Sequence, residues 1–146
     1  MNQTETALSR FAEGFNCSQA VVSAFAEDLG LEEETALRIA TGFGGGMGRM
    51  AETCGAVTGA IMVLGLRHGA ATPDRAAKER AYQQVVEFVR RFKARNGTTT
   101  CRELLGCDIG TPEGLQRACD ENLFTTLCPK FVRDAAEIFE KMLAEK

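Results

Sequence analysis

Apolar side chains recur at helical spacing along almost the whole chain, and this constrains the fold more than any other feature. Cys17, Ala20, Val21, Ala24 and Phe25 follow the i, i+3, i+4, i+7, i+8 spacing of one helix face. No segment shows the alternating pattern of a half-buried strand. The sequence therefore predicts an all-α fold of about six or seven helices.

Capping residues predict where several of these helices begin. Asn16 is expected to cap the helix that contains Cys17, and residues 32–43 are expected to form an amphipathic helix with Ile39 on its inner face. Thr72 and Pro73 are expected to open a long helix that ends before Gly97. Further helix starts are predicted at a Thr100/Glu103 capping box, at Thr111-Pro112 and at Pro129.

The segment 50–68 is apolar on nearly every side, which is typical of a buried central helix. Gly55 and Gly59 are four residues apart, so another backbone can approach this helix closely. A chain of 146 residues is long enough to build one core. We therefore predict a single domain, 1–146, packed around this helix.

Charge and hydropathy exclude some classes of function. The net charge is −3 and the pI is about 5.3, which argues against nucleic acid as a partner. The longest apolar stretch, 56–66, is too short to span a bilayer. Residues 1–10 do not resemble a secretory signal. We expect a cytoplasmic protein, in which thiols are normally kept reduced.

Six cysteines are the main candidates for chemistry, and their spacing excludes the common cysteine motifs. Successive gaps of 37, 47, 6, 12 and 9 residues contain no C-x-x-C, which argues against zinc ribbons, thioredoxin-like sites and c-type haem. His68 is the only histidine, so a His-rich metal site is excluded as well. Its place before Gly69 suggests a helix C-terminus.

Four of the cysteines fall at predicted helix starts: Cys17, Cys54, Cys101 and Cys128. Free amides and the positive end of the helix dipole favour a thiolate there, and a thiolate is both a nucleophile and a metal ligand. The alternative is that they are small buried apolar residues. Cys119 is expected to pack in a helix, and Cys107 to be an auxiliary thiol.

A glycine-rich loop precedes Cys54. It matches neither the phosphate-binding P-loop nor the G-x-G-x-x-G fingerprint. It could bind an anion or a small ligand, give access to the Cys54 sulfur, or be a structural turn only. The candidate binding residues are Gly44, Gly45, Gly46, Gly48 and Arg49 within the Gly42–Arg49 loop. Because Arg49 and the loop are near Cys54, we expect Cys54 to be the most reactive thiol.

At these residues the chain resembles the C_GCAxxG_C_C family, whose name proposes redox activity. The matching element is Cys54-Gly55-Ala56-Val57-Thr58-Gly59, and the loop 42–49 also resembles that of the family. The other three family cysteines correspond to Cys17, to Cys101 in Cys101-Arg102-Glu103-Leu104-Leu105-Gly106, and to Cys128. Cys107 competes with Cys101 for the third position. The resemblance covers essentially the whole chain.

The leading hypothesis is a small redox protein in which Cys17, Cys54, Cys101 and Cys128 converge. They would either exchange thiols and disulfides, with a partner protein or a small thiol, or hold an iron–sulfur cluster or zinc. One alternative is a helical module that binds a small ligand or anion at the Gly42–Arg49 loop without any cofactor. Another is an interaction protein, such as a homodimer, that packs its Gly55/Gly59 face against a second subunit.

Overall fold

Ten helical segments follow one another along residues 1–145, which are the residues that the computed structural model describes. They are α1 (Gln3–Ala12), α2 (Cys17–Ala26), α3 (Glu33–Ala40), α4 (Gly44–Met47), α5 (Gly55–His68), α6 (Arg75–Asn96), α7 (Cys101–Leu105), α8 (Pro112–Asp120), α9 (Leu123–Thr126) and α10 (Cys128–Ala144). Two 3-10 turns, Glu27–Leu29 and Thr41–Phe43, follow α2 and α3. Seven segments have eight residues or more and residues 1–145 contain no strand, which confirms the predicted all-α bundle.

Several predicted helix boundaries are confirmed at the level of the capping bonds. The Asn16 side chain accepts from the Gln19 N–H, and the Gln19 side chain accepts from the Asn16 N–H, each at 2.9 Å. Thr111 caps α8 by accepting from the Gly114 N–H at 3.0 Å. Gly97 ends α6 with a left-handed φ of 82°.

The predicted start of the long helix is wrong, and one predicted capping box is absent although its helix begins where expected. The long helix α6 begins at Arg75 rather than Pro73, because the Asp74 side chain accepts from the Ala77 N–H and caps it there. Thr100 precedes α7 but makes no side-chain capping bond, so the predicted capping box is absent. Its backbone instead takes part in an isolated antiparallel bridge with Thr53.

The second amphipathic helix is shorter than expected, and of the residues predicted to face inward (Leu37, Ile39, Ala40 and Phe43) Ala40 is buried while Ile39 is exposed. α3 ends at Ala40, and the chain then tightens into the 3-10 turn. Ile39 is 54% exposed, whereas Ala36 and Ala40, four residues apart, are fully buried. The small side chains of Ala36 and Ala40 allow α3 to lie close to α2. A hydrogen bond from Gln19 Nε2 of α2 to the Leu37 carbonyl of α3 also joins the two helices. The close approach leaves Ile39 outside the contact.

The central helix α5 begins at Gly55, so the predicted start at residue 50 is wrong, although most of its first ten residues are buried. Its contact with α2 is more extensive than that of any other helix pair within residues 1–145. A Cβ on Gly59 would lie 3.0 Å from the Ser18 carbonyl oxygen, and one on Gly55 3.0 Å from the Ser18 nitrogen. The expected close approach of a backbone is therefore made by α2 of the same chain.

This packing corrects the proposal that the Gly55/Gly59 face binds a second subunit, because α2 already covers it. The last helix, α10, closes the bundle by packing on α1, α2, α5 and α6. Phe139 of α10 meets Phe25 of α2 edge to face, with ring centroids 4.6 Å apart. Along residues 1–145, no helix combines the length and apolar character that crossing a membrane requires.

Candidate functional site

Three helix starts bring three thiols together. Cys17 is the first residue of α2, Cys54 is the N-cap of α5 and Cys128 is the first residue of α10. The Cys17 thiol lies within hydrogen-bonding reach of both Cys54 and Cys128. The strong packing of α2 on α5 and of α10 on both places these three ends side by side, although residues 17 and 128 are far apart in sequence.

The fourth cysteine, Cys101, is held beside Cys54 by a short pairing of two extended segments. The Cys54 N–H donates to the Thr99 carbonyl at 2.8 Å, and the Cys101 N–H donates to the Glu52 carbonyl at 2.6 Å. These bonds flank the bridge between Thr53 and Thr100. This pairing could not be predicted from the sequence, because each segment is only a few residues long and has no alternating pattern.

All four cysteines line one cavity of about 770 Å³. Its wall also contains Gly44, Gly45, Gly46, Gly48 and Arg49, which are the loop residues singled out as candidates for ligand binding. Cys54 is 4% exposed, and Cys101 and Cys128 are each 8% exposed. Cys17 is half-buried, and exposed residues such as Thr41 and Arg49 also line the cavity, so it opens to solvent and the three buried thiols lie in its deeper part. A cavity of this volume is within the range of small-molecule binding sites.

The glycine loop forms a left-handed turn. Five successive residues have positive φ: 65° at Gly45, 67° at Gly46, 64° at Met47, 58° at Gly48 and 64° at Arg49. Glycine adopts this conformation readily, but a residue with a Cβ is strained there by about 1–2 kcal/mol. Met47 and Arg49 therefore carry strain that neighbouring contacts must offset, as is common at functional sites.

Backbone hydrogen bonds fasten this turn to the segment before Cys54. The Ala51 N–H donates to the Gly45 carbonyl at 3.2 Å, and the Glu52 N–H donates to the Gly46 carbonyl at 3.0 Å. A Cβ on Gly46 would lie 2.5 Å from the Glu52 nitrogen, so no other residue fits there without movement. The sequence predicted a loop that approaches Cys54 closely, but it did not predict the left-handed Met47, Arg49 and Ala51.

The environment differentiates the two central thiols. A hydrogen bond from Cys17 lowers the pKa of Cys54, and the amides of Ala56 and Val57 at the start of α5 lower it further against the opposing effect of burial. Hydrogen bonds with Cys128 and Cys54, together with burial, raise the pKa of Cys17 well above its usual range. Of the pair, Cys54 therefore gives up its proton more readily than Cys17 does.

Cys101 differs again, because burial and the neighbouring Cys54 raise its pKa to about 12. Cys101, and not Cys107, lines the cavity. Cys107 is half-buried outside it, and Cys119 is exposed on α8, so the expectation that Cys119 packs inside a helix interface is wrong. The buried residue of that helix is its neighbour Ala118. All six cysteines are free thiols.

The metal hypothesis requires several ligands at coordination distance around one point. Within the part of the chain that the structure describes, no group of three or more His, Cys, Asp or Glu side chains has that arrangement. As placed, the four thiols do not fit a zinc ion or an iron–sulfur cluster. The geometry instead offers pairs of thiols in contact.

The apolar wall of the cavity could not be predicted from the sequence. Phe11 at the end of α1, Phe15 before α2, Phe124 on α9 and Phe131 on α10 all line it. These residues come from four separate stretches, so no motif in the sequence joins them. Their common feature is only that each lies near a helix end.

Comparison with known proteins bears on the identity of this chain. A family model described as "Putative redox-active protein (C_GCAxxG_C_C)" matches residues 15–142, a span that contains all four cavity cysteines and the glycine loop. No curated protein and no solved structure matches the chain. Because the family match covers nearly the whole chain, the protein belongs to the C_GCAxxG_C_C family, whose description is that of a redox-active protein.

Proposed function

We propose that this protein exchanges its thiols with a disulfide substrate, with Cys54 as the attacking thiolate and Cys17 as the resolving thiol. The observation that supports this assignment is the direct contact of two free thiols whose pKa values are shifted in opposite directions. The thiolate is the nucleophile that attacks a disulfide. The protonated thiol beside it reacts only in the second step, after the first thiol has formed a disulfide with the substrate. The cavity that all four cysteines line is where we expect this exchange to occur.

The reaction proceeds in two exchange steps. The Cys54 thiolate attacks one sulfur of the substrate disulfide, so a Cys54–substrate disulfide forms and the other half leaves as a thiolate. Cys17 then loses its proton to solvent and attacks the Cys54 sulfur, which forms a Cys17–Cys54 disulfide and releases the second half. Two protein thiols are oxidised and one substrate disulfide is reduced. An external dithiol, from a redox partner protein or a small thiol, restores the reduced state.

Cys128 and Cys101 have supporting roles in this proposal. Cys128 is the second thiol in contact with Cys17 and can exchange with it after oxidation. The high pKa of Cys101 keeps that thiol protonated, so it does not compete with Cys54 for the substrate. Regeneration by a thiol is consistent with a cytoplasmic location, where thiol reductants are abundant.

The proposal is tested by trapping the intermediate. The protein carrying Cys107→Ser and Cys119→Ser is treated anaerobically with oxidised glutathione, and its peptides are mapped by mass spectrometry. We expect a Cys17–Cys54 disulfide in this background. Adding Cys17→Ser should instead accumulate one glutathione on Cys54, because the resolving thiol is gone. Adding Cys101→Ser is the matched control, and it should still yield the Cys17–Cys54 disulfide.

Absence of glutathione from Cys54 in the Cys17→Ser protein would contradict the proposal. Metal analysis and an ultraviolet–visible spectrum of anaerobically purified protein test the metal alternative in parallel. An absorption band near about 400 nm together with bound iron, or stoichiometric zinc released by thiol modification, would favour a metal site over thiol exchange.

A further inference from the structure

We propose that the substrate of the cavity is a small amphipathic disulfide that carries an anionic group, with its apolar part against the phenylalanine wall and its anion at Arg49. This inference rests on the proposed thiol exchange at Cys54 and specifies the substrate class. Three features of the cavity lead to it: the depth of the thiols, the chemistry of the wall and the position of one charge.

The depth of the thiols determines the size of the substrate. Cys54 is 4% exposed and lies inside a cavity of about 770 Å³. In-line attack on a disulfide requires the substrate sulfur to contact the Cys54 sulfur. A small disulfide reaches a sulfur this deep more easily than a disulfide on the surface of a folded protein does.

The wall determines the polarity of most of the substrate. Phe11, Phe15, Phe124 and Phe131 line the space. Burying an aromatic or aliphatic group against such side chains contributes favourable apolar burial and, for an aromatic ring, edge or offset stacking. Asn16, Thr41 and Thr125 add polar groups to the lining, so the wall favours a disulfide with an apolar part but also admits a polar one such as oxidised glutathione.

Arg49 determines the charge of the remaining part. Within residues 1–145 it is the one charged side chain that lines the cavity, and no carboxylate there pairs with it. By contrast, Arg102, which lines an adjoining polar chamber together with Arg49, is paired with Asp108 at 3.5 Å. Arg49 lines both spaces, which places it where they meet. An unpaired guanidinium there favours a carboxylate or a similar anion.

The test compares two aromatic disulfides that differ in charge. Dithiobis(2-nitrobenzoate) carries a carboxylate on each half, and 2,2′-dithiodipyridine is neutral. Both are reacted with the protein in the Cys107→Ser, Cys119→Ser background, and the release of the coloured thiol is followed by stopped flow. Each step exchanges one thiolate for another, as in the glutathione reaction. Peptide mapping assigns the first adduct to Cys54.

We expect Arg49→Gln to slow the reaction of Cys54 with dithiobis(2-nitrobenzoate) about five- to tenfold, and to leave the rate with dithiodipyridine within about twofold. Arg49→Lys should retain part of the preference, because it keeps the charge but loses the planar fork. Arg102→Gln is the matched control and should leave both rates unchanged. Gln and Lys have the same unbranched Cβ as Arg, so these substitutions leave the backbone strain at the positive φ of residue 49 unchanged.

Two results would overturn the substrate proposal. One is that Arg49→Gln slows the reaction with both disulfides equally. The other is that Arg102→Gln slows the reaction with dithiobis(2-nitrobenzoate) as much as Arg49→Gln does, which would indicate long-range electrostatic attraction rather than a binding contact at Arg49. In either case Cys54 would still form adducts that Cys17 resolves, so the proposed function would stand. If neither disulfide forms an adduct at Cys54, both the exchange function and this inference are wrong.

Discussion

At the scale of single residues, the contrast between Cys17 and Cys54 is the central property of the site. Both lie at helix starts, and the sequence predicted stabilised thiolates at both positions. The structure separates them, because Cys17 donates a hydrogen bond that lowers the pKa of Cys54 while its own pKa is raised. The tertiary contact of α2 with α5 determines which of the two thiols donates the hydrogen bond. No sequence pattern predicts the direction of this bond.

Alkylation of Cys54 should therefore remain fast as the pH falls below the pKa of an ordinary thiol, about 8.5. The thiolate exists above the lowered folded-state pKa, and its reactivity is lost only as the pH falls through that value. The measurement is the rate of iodoacetamide labelling against pH, with peptides quantified by mass spectrometry. The exposed Cys119 is the internal reference for a thiol with free access.

Two variants of one residue separate hydrogen bonding from access. Cys17→Ala removes the donor and should move the pH midpoint of Cys54 labelling upward, whereas Cys17→Ser keeps a hydroxyl donor and should move it less. Identical upward shifts in both variants would show that the Cys17 thiol itself, and not its hydrogen bond, sets the reactivity of Cys54. Because Cys54 is buried, its labelling rate at a single pH depends on access as well as on the thiolate fraction. Comparing the rates of Cys54 and Cys119 at one pH therefore does not test whether Cys54 is a thiolate.

At the scale of elements, the close contact of α2 and α5 could be predicted from the sequence, while the left-handed turn could not. Gly55 and Gly59 are four apart in an apolar helix, which indicates a close neighbour whatever its identity. The turn depends on Met47, Arg49 and Ala51 adopting positive φ, which these residue types rarely do. Such a conformation is imposed by bonds to distant backbone and is not a preference of the local sequence.

Substitutions at three glycines of α5 should reveal the contact. Gly59→Leu places a large side chain against the Ser18 backbone and should lower the free energy of unfolding by about 1–3 kcal/mol. Gly55→Leu should do the same. Gly65→Ala is the matched control on the same helix: nothing lies within 4 Å of the added Cβ, so it should gain up to about 1 kcal/mol in helix propensity. Urea unfolding followed by circular dichroism measures all three.

A stable Gly55→Leu protein with slow Cys54 alkylation would contradict this packing explanation. It would show that Gly55 gives access to the thiol rather than room to α2.

Two glycines of the left-handed turn should respond differently to alanine. Gly48 has φ 58° and open space around its Cβ direction, so Gly48→Ala should cost only the backbone strain, about 1–2 kcal/mol. Gly46→Ala adds a contact with the backbone of Ala51 and Glu52 and should cost more. Thermal unfolding measures the stability, and labelling of Cys54 reports whether the segment before it has moved. Equal losses of stability in Gly46→Ala and Gly48→Ala would mean that the backbone near Gly46 moves to accommodate the added Cβ at little cost in free energy.

At the scale of the whole molecule, the site exists only when the bundle is complete. Its thiols come from the starts of α2, α5, α7 and α10, and its apolar wall adds α1 and α9. The helical class, the single-chain core and the four candidate cysteines could be predicted from periodicity, caps and cysteine placement. The cavity could not, because it is formed by the residual space between helix ends rather than by any one element.

Thiol burial should therefore be lost in the same transition as the helices. Urea unfolding monitored by circular dichroism and by short pulses of alkylation at Cys54 and Cys101 should give coincident midpoints, as expected of a two-state domain. Cys119, which is exposed, should be labelled at every urea concentration and provides the control. Labelling of Cys54 and Cys101 well below the circular dichroism midpoint would show that the cavity opens by a local transition.

The short pairing of residues 51–54 with residues 99–102 has a consequence for how the protein reaches its native state. It closes a ring of chain between Cys54 and Cys101, which are 47 residues apart, and this ring contains all of α5 and α6. Contacts of such long sequence separation have a high loop-closure entropy and form late. Until then, an oxidant such as dissolved oxygen can join the six cysteines of the partly folded chain in non-native disulfides. Efficient refolding should therefore depend on a reductant, and oxidation should be introduced only after the ring has closed.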